Sequence, residues 1–566
     1  MFVKNKMITN KTVICNEFNE YFSTVGQKLV ENFDNGNTTS YMAYCDHSNK
    51  YSMFCAPVTS AELCTLILKL NNKKSPGPDN IGVKLIKSVV GIICHPLLHI
   101  CNMSFQEGIV PDRLKLAKVI PVFKSGDASL PCNYRPISLL SVFDKLIEKL
   151  MASRLCSFLE RHDVLYHYQF GFRKQHSTTL ALIDVVEEIY HHLDNNEVGI
   201  GIYYDLKKAF DTVNHKILLD KMCHYGIRGL VHKWFTSYLT GRKQYTYIEN
   251  YCSNVAELSY GVPQGSVLGP LLFLIYVNDI YRAVPHAKTK LYADDTNVFL
   301  FDKNVNNLIS GANLCLQELG IWFRSNMLTL NMVKTCYMVF STAPIDCINL
   351  SIDGIPLEKV HTCKYLGIHF DDHLTWRNHI DYIYNKLKQL TGIFYKLRCK
   401  LDYRWLKNIY YAFVYPYVMY GIEIYANTYV SYLDKLVKIN NKILRILLNQ
   451  PVRTSVSQLY AKFDLLPIDK LYLLQVLILV FKCIHCRHLV PSVYADRFIV
   501  NHDVYNYNTR SSQNLHLIST RTSYGQKCIK YKGSLLWNRL PVSLRFCSSV
   551  SVFKTHVKKY LWTIEN

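Results

Sequence analysis

The stretch that decides the fold is Lys290-Leu291-Tyr292-Ala293-Asp294-Asp295-Thr296-Asn297-Val298-Phe299-Leu300. Apolar residues lead up to two adjacent carboxylates and resume directly after them, a pattern that predicts two short strands joined by a tight turn. Aspartate is common in turns, so an ordinary solvated bend would explain this pair on its own. Under that interpretation the two acids would have no partner elsewhere in the chain.

A third carboxylate follows a second strand-like run. Asp205 comes directly after Gly199-Ile200-Gly201-Ile202-Tyr203-Tyr204 and just before a helical pattern. Like charges a few ångströms apart repel, so three acids at strand ends are expected to be accompanied by cations. Mg²⁺ takes one or two carboxylates together with substrate phosphates, and a pair of such ions can activate an attacking hydroxyl and stabilise a leaving oxygen. These residues therefore predict a nucleotidyl transferase.

The composition of the chain indicates a folded protein with a polyanionic partner. Its 566 residues suggest several lobes, and 49% apolar with only 19% charged residues excludes a disordered tail protein. The net charge of +22 arises because 65 Lys and Arg face 43 Asp and Glu. A basic surface of this kind favours a nucleic-acid partner whose binding weakens with salt, the alternative being solubility alone.

The cysteines and the apolar runs bear on the compartment. Nineteen cysteines are scattered without a repeating spacing, and residues 1–12 have no apolar signal core. This predicts no secretion signal and reduced thiols in the nucleus and cytoplasm. The longest apolar run, residues 471–481, is shorter than the roughly twenty residues that a bilayer-spanning helix needs, so no membrane contact is expected.

Two cations lie on a predicted hairpin. Residues 117–124 predict a strand that ends at Lys124, and residues 133–138 predict the return strand, which carries Arg135. Two fixed cations on neighbouring strands could clamp a triphosphate, Arg as a planar fork and Lys as a point charge. The alternative is a pair of solvated surface charges, which the three acids make less attractive.

Three further segments carry weaker signals. Residues 168–178 predict an aromatic and basic loop suited to stacking on bases. Phe210, five residues after Asp205, is near enough to crowd an incoming sugar, although such a residue is more often core. Residues 261–270 form a Gly- and Pro-rich loop that is predicted to let backbone approach a ligand and to open a long apolar helix over residues 271–280.

The order of these motifs resembles the reverse transcriptase of non-LTR (LINE-type) retrotransposons, nearest to the jockey-like group. The resemblance rests on residues 133–138, 169–173, 205–211, 263–270 and 292–295, followed by residues 328–335 and 365–368. Each motif alone is a weak signal, but their common order is a strong one. A group II intron or telomerase polymerase fits less well, because Tyr-Ala-Asp-Asp is flanked on both sides by the jockey-like blocks.

The resemblance implies a right-hand polymerase of the α+β class with fingers, an antiparallel palm sheet and a helical thumb. Residues 1–56 are polar and Asn-rich with one helical pattern around residues 13–30, which indicates an entry segment or linker. The resemblance implies residues 57–198 as fingers and 199–374 as palm. The reverse transcriptase domain would span about residues 104–370, followed by the thumb at 375–450 and a helical C-terminal region at 451–566. Between residues 384 and 450, eleven Lys or Arg face three Asp or Glu on three helical patterns.

The resemblance also implies roles for single residues. The catalytic, metal-binding acids would be Asp205, Asp294 and Asp295, holding two Mg²⁺ ions, with Mn²⁺ possible. The nucleotide-binding residues would be Lys124 and Arg135 at the triphosphate, Phe210 as the gate against a ribose 2′-hydroxyl, Gln264 beside the nucleotide and template, and Lys334 as a proton donor to pyrophosphate. The primer grip would comprise Tyr365, Leu366 and Gly367.

The implied function is RNA-directed DNA synthesis, with an RNA template, a DNA primer or target and dNTPs as partners. The alternative is a catalytically silent RNA-binding remnant of a decayed or truncated element. No His/Asp nuclease pattern and no RNase H acid set is recognisable in the sequence. We therefore expect the endonuclease of such elements to be missing from this chain.

Overall fold

The computed structural model describes residues 2–3, 6–31, 40–45, 48–345, 348–505 and 511–564. Helices are combined with two five-stranded sheets, in agreement with the predicted α+β class. Within the described ranges, no helix combines the length and the apolar character that crossing a membrane requires.

The central sheet carries the predicted acids. Its strands, in spatial order, are Glu358–Lys359, Cys336–Phe340, Val198–Tyr204, Asp295–Asp302 and Lys288–Tyr292. All neighbours are antiparallel except Glu358–Lys359, which runs parallel to Cys336–Phe340. Side chains alternate across the sheet, so Ile200 and Ile202 enter one hydrophobic core while Tyr203 enters another. Both faces of this sheet are thus covered.

The second sheet contains the predicted cation hairpin. Its strands, in spatial order, are Tyr134–Leu139, Leu116–Phe123, Arg242–Ile248 and Tyr251–Cys252, with Ala256–Leu258 also paired to Arg242–Ile248. The strands predicted over residues 117–124 and 133–138 are confirmed to within one residue. Shorter hairpins are formed by Phe2–Val3 with Lys6–Met7, Ser351–Ile352 with Ile355–Pro356, and Thr362–Tyr365 with Ile368–Asp371.

Helices surround the sheets and dominate the C-terminal part of the chain. Up to the end of the central sheet they are Lys11–Val30, Ser60–Leu68, Val83–Ser88, Val90–Glu107, Val142–Arg161, Thr178–Asp194, His215–His224, Gly229–Leu239, Gly269–Tyr276, Ile280–Ala283 and Val305–Ser325. Beyond it they are Arg377–Leu397, Tyr403–Phe413, Tyr415–Met419, Ile422–Tyr425, Val430–Leu447, Val456–Phe463, Ile468–His485, Asn501–Val504, Ser523–Lys527, Ile529–Arg539, Val542–Arg545 and Val550–Thr563.

Helix Lys11–Val30 lies within residues 1–56, which the sequence predicts as an entry segment or linker with one helical pattern. Helix Lys11–Val30 packs on the second sheet, where Phe18 and Phe22 bury their rings against Val119. The Oδ1 atom of Asn19 accepts a hydrogen bond from Gln244 at 3.2 Å. Residues 32–39 and 46–47 of the predicted linker lie outside the described residues, but residues 11–30 belong to the folded body.

The prediction of one long helix over residues 271–280 is wrong. The structure has a short helix Gly269–Tyr276 and a separate turn of helix at Ile280–Ala283. Tertiary hydrogen bonds hold the intervening residues out of a continuous helix. The Asn278 side chain accepts from the backbone N–H of Tyr166 and donates to the carbonyl of Val164, both at 2.8 Å.

Candidate active site

The two adjacent acids lie at the tight turn that the sequence predicts. Tyr292 pairs with Asp295 across the hairpin, so Ala293 and Asp294 form a two-residue connection. Ala293 has a φ of +58°, in the left-handed region that such turns require. Both acidic side chains are exposed to solvent. The hairpin thus projects two carboxylates from the end of the central sheet.

This turn rests on residues 169–171, a support that sequence reasoning missed. The buried Gln169 side chain accepts hydrogen bonds from the backbone N–H groups of Gly171 at 2.8 Å and Ala293 at 3.0 Å. A Cβ atom on Gly171 would collide with the backbone of Ala293. Gln169 and Gly171 belong to the loop that the sequence predicts to stack on bases, and they hold the turn at Ala293–Asp294 in place.

Asp205 is brought to the same end of the sheet by strand register. Thr296 pairs with Tyr204, so the next residue of each strand places Asp205 opposite Asp295. Opposed residues of antiparallel strands lie roughly 4.5–5.5 Å apart at Cα. Asn331 fixes this residue, because its side-chain N–H donates to Asp205 Oδ2 at 2.7 Å and its backbone N–H donates to the Asp205 carbonyl at 2.8 Å.

The three carboxylates influence one another electrostatically. Although these side chains reach solvent, the protein around the turn displaces part of their hydration. This partial desolvation is the main cause that raises the pKa of Asp295 to about 6, and the charges of Asp294 and Asp205 add to the rise. The pKa of Asp294 is also raised, first by desolvation and then by Asp205. Like charges gathered at one site favour a bound cation.

The donor set at the turn fits Mg²⁺ that arrives with a substrate. Among the residues that the structure describes, no three His, Cys, Asp or Glu side chains are grouped closely enough to hold a metal ion by themselves. Asp205 Oδ2 lies 3.6 Å from the Lys334 ammonium as well as accepting from Asn331. Mg²⁺ commonly uses one or two carboxylates and completes its shell with water and phosphate oxygens. Exposed Asp294 and Asp295 supply such ligands.

A cleft of about 760 Å³ opens between the central sheet and the second sheet. It brings together most of the residues predicted to bind nucleotide or metal, namely Lys124, Arg135, Asp205, Phe210, Gln264, Asp294 and Lys334. Asp295 and the three predicted primer-grip residues lie outside its lining. Acids from one sheet therefore face cations from the other across a common space.

The two predicted cations lie on the hairpin of the second sheet. Arg135 is paired with Val122, and the backbone N–H of Lys124 donates to the Asn133 carbonyl at 2.9 Å. Both side chains are exposed, and neither forms an ion pair with any residue that the structure describes. Their charges oppose the desolvation that raises the pKa of Asp294 across the cleft. They are free to bind an anionic ligand.

Phe210 and Gln264 line the cleft and also contact the protein around it. The Phe210 ring packs on Phe273 with ring centroids 4.8 Å apart. Phe210 is therefore partly a core residue, which is the more common role of a phenylalanine at such a position, and it also lines the cleft. Gln264 Nε2 donates a hydrogen bond to Asp211 Oδ1 at 2.8 Å. The backbone carbonyl of Gln264 accepts a hydrogen bond from the backbone N–H of Ser138. Burial raises the pKa of Asp211 to about 6.

The N-terminal helix forms one wall of the cleft through Tyr21, Val25 and Leu29, which the sequence did not predict. A Cβ atom on Gly26 would collide with the Asp211 carbonyl, so glycine permits this close packing. Lys208 lies beside this wall. Its ammonium donates to the carbonyls of Cys132 and Tyr134, each at 3.2 Å, and is 5.5 Å from the Tyr21 ring centroid.

Comparison with known proteins shows which proteins the residues of this cleft resemble. The family model for reverse transcriptase (RNA-dependent DNA polymerase) matches residues 123–370. The chain is 29% identical over 419 residues to the RNA-directed DNA polymerase from mobile element jockey of Drosophila melanogaster, covering 72% of this chain and 46% of that protein. The chain thus contains a reverse transcriptase domain and is similar to the polymerases of jockey-like non-LTR elements.

Two further relatives support this assignment. The RNA-directed DNA polymerase from mobile element jockey of Drosophila funebris is 30% identical over 406 residues, which is 70% of this chain and 44% of the relative. The probable RNA-directed DNA polymerase from transposon BS of Drosophila melanogaster is 28% identical over 435 residues, or 73% and 47% of the two chains. The chain thus spans about half the length of the curated relatives it matches.

The predicted primer-grip residues form a separate hairpin beside the acids. Leu366 and Gly367 make its tight turn, and Tyr420 Oη donates to the Leu366 carbonyl. Tyr365 is 4% exposed and packs on Tyr203 and Phe370, so its side chain belongs to the core. Leu366 and Gly367 at the turn are partly exposed, so among the three predicted residues these two can reach a ligand.

Proposed function

We propose that this chain is an RNA-directed DNA polymerase that extends a primer 3′-hydroxyl with dNTPs on an RNA template. One observation carries the proposal: a single cleft brings carboxylates at a strained hairpin turn to face two cations that lack acidic partners among the described residues. Such a site has ligands both for divalent cations and for a triphosphate.

The proposed roles follow from the positions of the side chains. Lys124 and Arg135 bind the triphosphate, and their charges act where the β- and γ-phosphates would lie opposite Asp294. Phe210, held against Phe273, limits the space beside the sugar. Gln264 lies beside the nucleotide, where its amide is oriented by Asp211. Most of the catalysis would then be positioning and charge stabilisation.

Asp205, Asp294 and Asp295 would hold two divalent cations. When bound, a pair of Mg²⁺ or Mn²⁺ ions would favour ionisation of the primer hydroxyl and stabilise the charge on the departing pyrophosphate. Lys334, 3.6 Å from Asp205 Oδ2 and 57% exposed, is placed to give a proton to that pyrophosphate. The side-chain amide of Asn331 keeps Asp205 oriented as ligands enter.

The larger architecture is proposed to be that of a right-handed polymerase. The second sheet would belong to the fingers and the central sheet to the palm, with Leu366 and Gly367 touching the primer. Helices Arg377–Leu397, Tyr403–Phe413 and Val430–Leu447 would form a thumb along the RNA–DNA duplex. They carry the basic excess that phosphate contacts require.

Replacement of Asp294 by Ala tests the proposal. The exposed side chain leaves the fold intact when removed, so loss of primer extension on poly(rA) with Mg²⁺ would be a loss of chemistry. We expect no detectable extension, measured with purified protein and labelled primer. Asp302→Ala is the matched control, because Asp302 lies at the far end of the strand Asp295–Asp302 that follows the turn. The Asp302→Ala variant should extend the primer as well as the wild type.

The test also separates the alternative function. If the wild-type chain binds RNA tightly but incorporates no nucleotide, it is the silent remnant of an element and not a polymerase. If Asp294→Ala extends primers as well as the wild type, the assignment of the acids is refuted.

A further inference from the structure

Parts of residues 492–505 and 511–530 in the C-terminal region dock on helix Thr178–Asp194. Tyr494 Oη donates to the Leu180 carbonyl at 2.5 Å, and the backbone N–H of Lys530 donates to Glu187 at 2.7 Å. At the end of the helix, Asp194 accepts hydrogen bonds from the backbone N–H groups of Arg521 at 3.1 Å and Thr522 at 2.6 Å. The docking is therefore made by several independent anchors.

One of these anchors continues to the strand that carries the catalytic turn. Arg497 Nη2 lies 3.1 Å from Asp184 Oδ1, and its Nη1 pairs with Glu187. The other oxygen of Asp184 lies 2.6 Å from the Lys290 ammonium. The side chains of Arg497, Asp184 and Lys290 are 11%, 6% and 3% exposed, so the whole chain of charges is buried.

Lys290 lies four residues before Asp294, on an edge strand of the central sheet. Strand Lys288–Tyr292 pairs with Asp295–Asp302 on one side only. On its other side it is held by backbone hydrogen bonds between Leu291 and residues 168 and 170. The ammonium of Lys290 also lies 3.8 Å from the Tyr168 ring centroid. The lateral position of the strand therefore depends on these backbone hydrogen bonds, on the bond from Tyr166 Oη to the Thr289 carbonyl, and on the ion pairs of Lys290 with Asp184 at 2.6 Å and Glu188 at 3.4 Å.

Removing Arg497 would unbalance this cluster. Asp184, Glu187 and Glu188 would be left facing Lys290 and the more distant Lys288. A cavity of about 400 Å³ borders the cluster and is lined by Asp184, Glu187 and Arg497, so water could enter. A buried charge that loses its partner is strongly unfavourable, and the remaining groups shift to find compensation.

We propose that Arg497 is a positioning residue for the catalytic hairpin, acting through Asp184 and Lys290 to hold the strand that ends at Ala293–Asp294. The expected effect of Arg497 on kcat rests on the proposed polymerase function, whereas its expected effect on the hydrogen–deuterium exchange of the hairpin does not. Arg497 touches no substrate in this role. The C-terminal region would then be part of the polymerase body through a defined side-chain link.

The experiment compares Arg497→Met with Asp194→Asn in the full chain. Arg497→Met removes the charge and keeps much of the volume, whereas Asp194→Asn weakens another anchor of the same docked region that has no link to Lys290. Hydrogen–deuterium exchange is measured over residues 286–302 and 515–530, and primer extension gives kcat and KM for dNTP. Arg497→Lys tests rescue by a cation that cannot bridge both acids at once.

We expect Arg497→Met to speed exchange over residues 286–302 and to lower kcat by roughly ten- to a hundredfold with little change in KM, because the acids are misplaced while the cations are not. Asp194→Asn should speed exchange over residues 515–530 alone. For Arg497→Lys, both the exchange rate over residues 286–302 and kcat should lie between those of Arg497→Met and the wild type. If Arg497→Met does not fold, the comparison of Arg497→Lys with the wild type decides the question.

Other results overturn the proposal. Unchanged exchange over residues 286–302 in both Arg497 variants would show that the charge chain does not hold the strand. Equal effects of Arg497→Met and Asp194→Asn on both segments would show a merely structural docking. A wild-type chain without extension would refute the proposed function alone, since the exchange comparison would still decide the link to the hairpin.

Discussion

The cations of the cleft and the cations of the interior differ in what surrounds them. Lys221 is 0% exposed, and its ammonium lies 2.7 Å from Asp279 Oδ1 and 2.7 Å from the Tyr276 carbonyl. Lys124 and Arg135 are exposed at the cleft, and within the described part of the chain neither has an acidic partner at ion-pair distance. The two groups have the same sign of charge and opposite environments.

The difference shows which charges serve the fold and which serve a ligand. Burying a cation is costly unless an acid and hydrogen-bond acceptors compensate it, so Lys221 comes with its partners. An exposed cation without a partner adds little to stability and keeps its binding capacity for an anion. Stability and binding should therefore separate cleanly when each type of cation is removed.

The largest expected effect is on the interior. Lys221→Met should lower the free energy of unfolding by about 3–5 kcal/mol, because Asp279 is left buried and unpaired. Denaturant unfolding measures the change. Lys216→Met, exposed on the same helix, is the control and should stay within about 0.5 kcal/mol of the wild type. A similar small change for Lys221→Met would contradict the comparison.

An intermediate effect is expected in the cleft. Arg135→Ala should raise KM for dNTP by roughly ten- to a hundredfold, because a charge-assisted contact contributes about 1.5–3 kcal/mol. Its free energy of unfolding should stay within about 0.5 kcal/mol of the wild type. Arg135→Lys should restore only part of the affinity, since the planar fork is lost. An unchanged KM, compared with the exposed control Lys303→Ala, would exclude Arg135 from nucleotide binding.

The smallest effect concerns pH and the acids opposite these cations. The pKa of Asp295 is raised to about 6, so between roughly pH 4 and pH 6 the folded chain binds more protons than the unfolded chain and stability falls as pH rises. Asp295→Asn should therefore increase the free energy of unfolding at pH 7, by less than about 1 kcal/mol, and leave it unchanged near pH 4. Equal changes at the two pH values would show that Asp295 is not crowded by its neighbours.

The sequence predicted the parts of the site that local patterns encode. Strand alternation and a turn located Asp294, and a second hairpin located Lys124 and Arg135, because period and turn chemistry are local properties. Of the three helical patterns between residues 384 and 450, the first lies within Arg377–Leu397 and the third at Val430–Leu447, whereas the middle one is divided into Tyr403–Phe413, Tyr415–Met419 and Ile422–Tyr425. Proximity of the acids to the cations required the whole topology and could only be inferred through the family resemblance.

The parts that were missed depend on distant contacts. The spacing of apolar residues predicts the helix Lys11–Val30, but it does not show that Tyr21 borders the cleft. Gln169 in a loop gives no sign that it accepts a hydrogen bond from Ala293, 124 residues away. The long helix over residues 271–280 fails because Asn278 bonds to a distant loop, and tertiary contacts of this kind override local propensity.

Strand Leu116–Phe123 has a practical consequence for the design of protein fragments. It is the interior strand that joins Tyr134–Leu139 to Arg242–Ile248, and the span matched by the family model begins only at its last residue. A recombinant fragment trimmed to that span would leave the backbone of the Arg135 strand without its neighbour and expose an unpaired edge prone to aggregation. Expression trials should begin upstream of helix Lys11–Val30 instead.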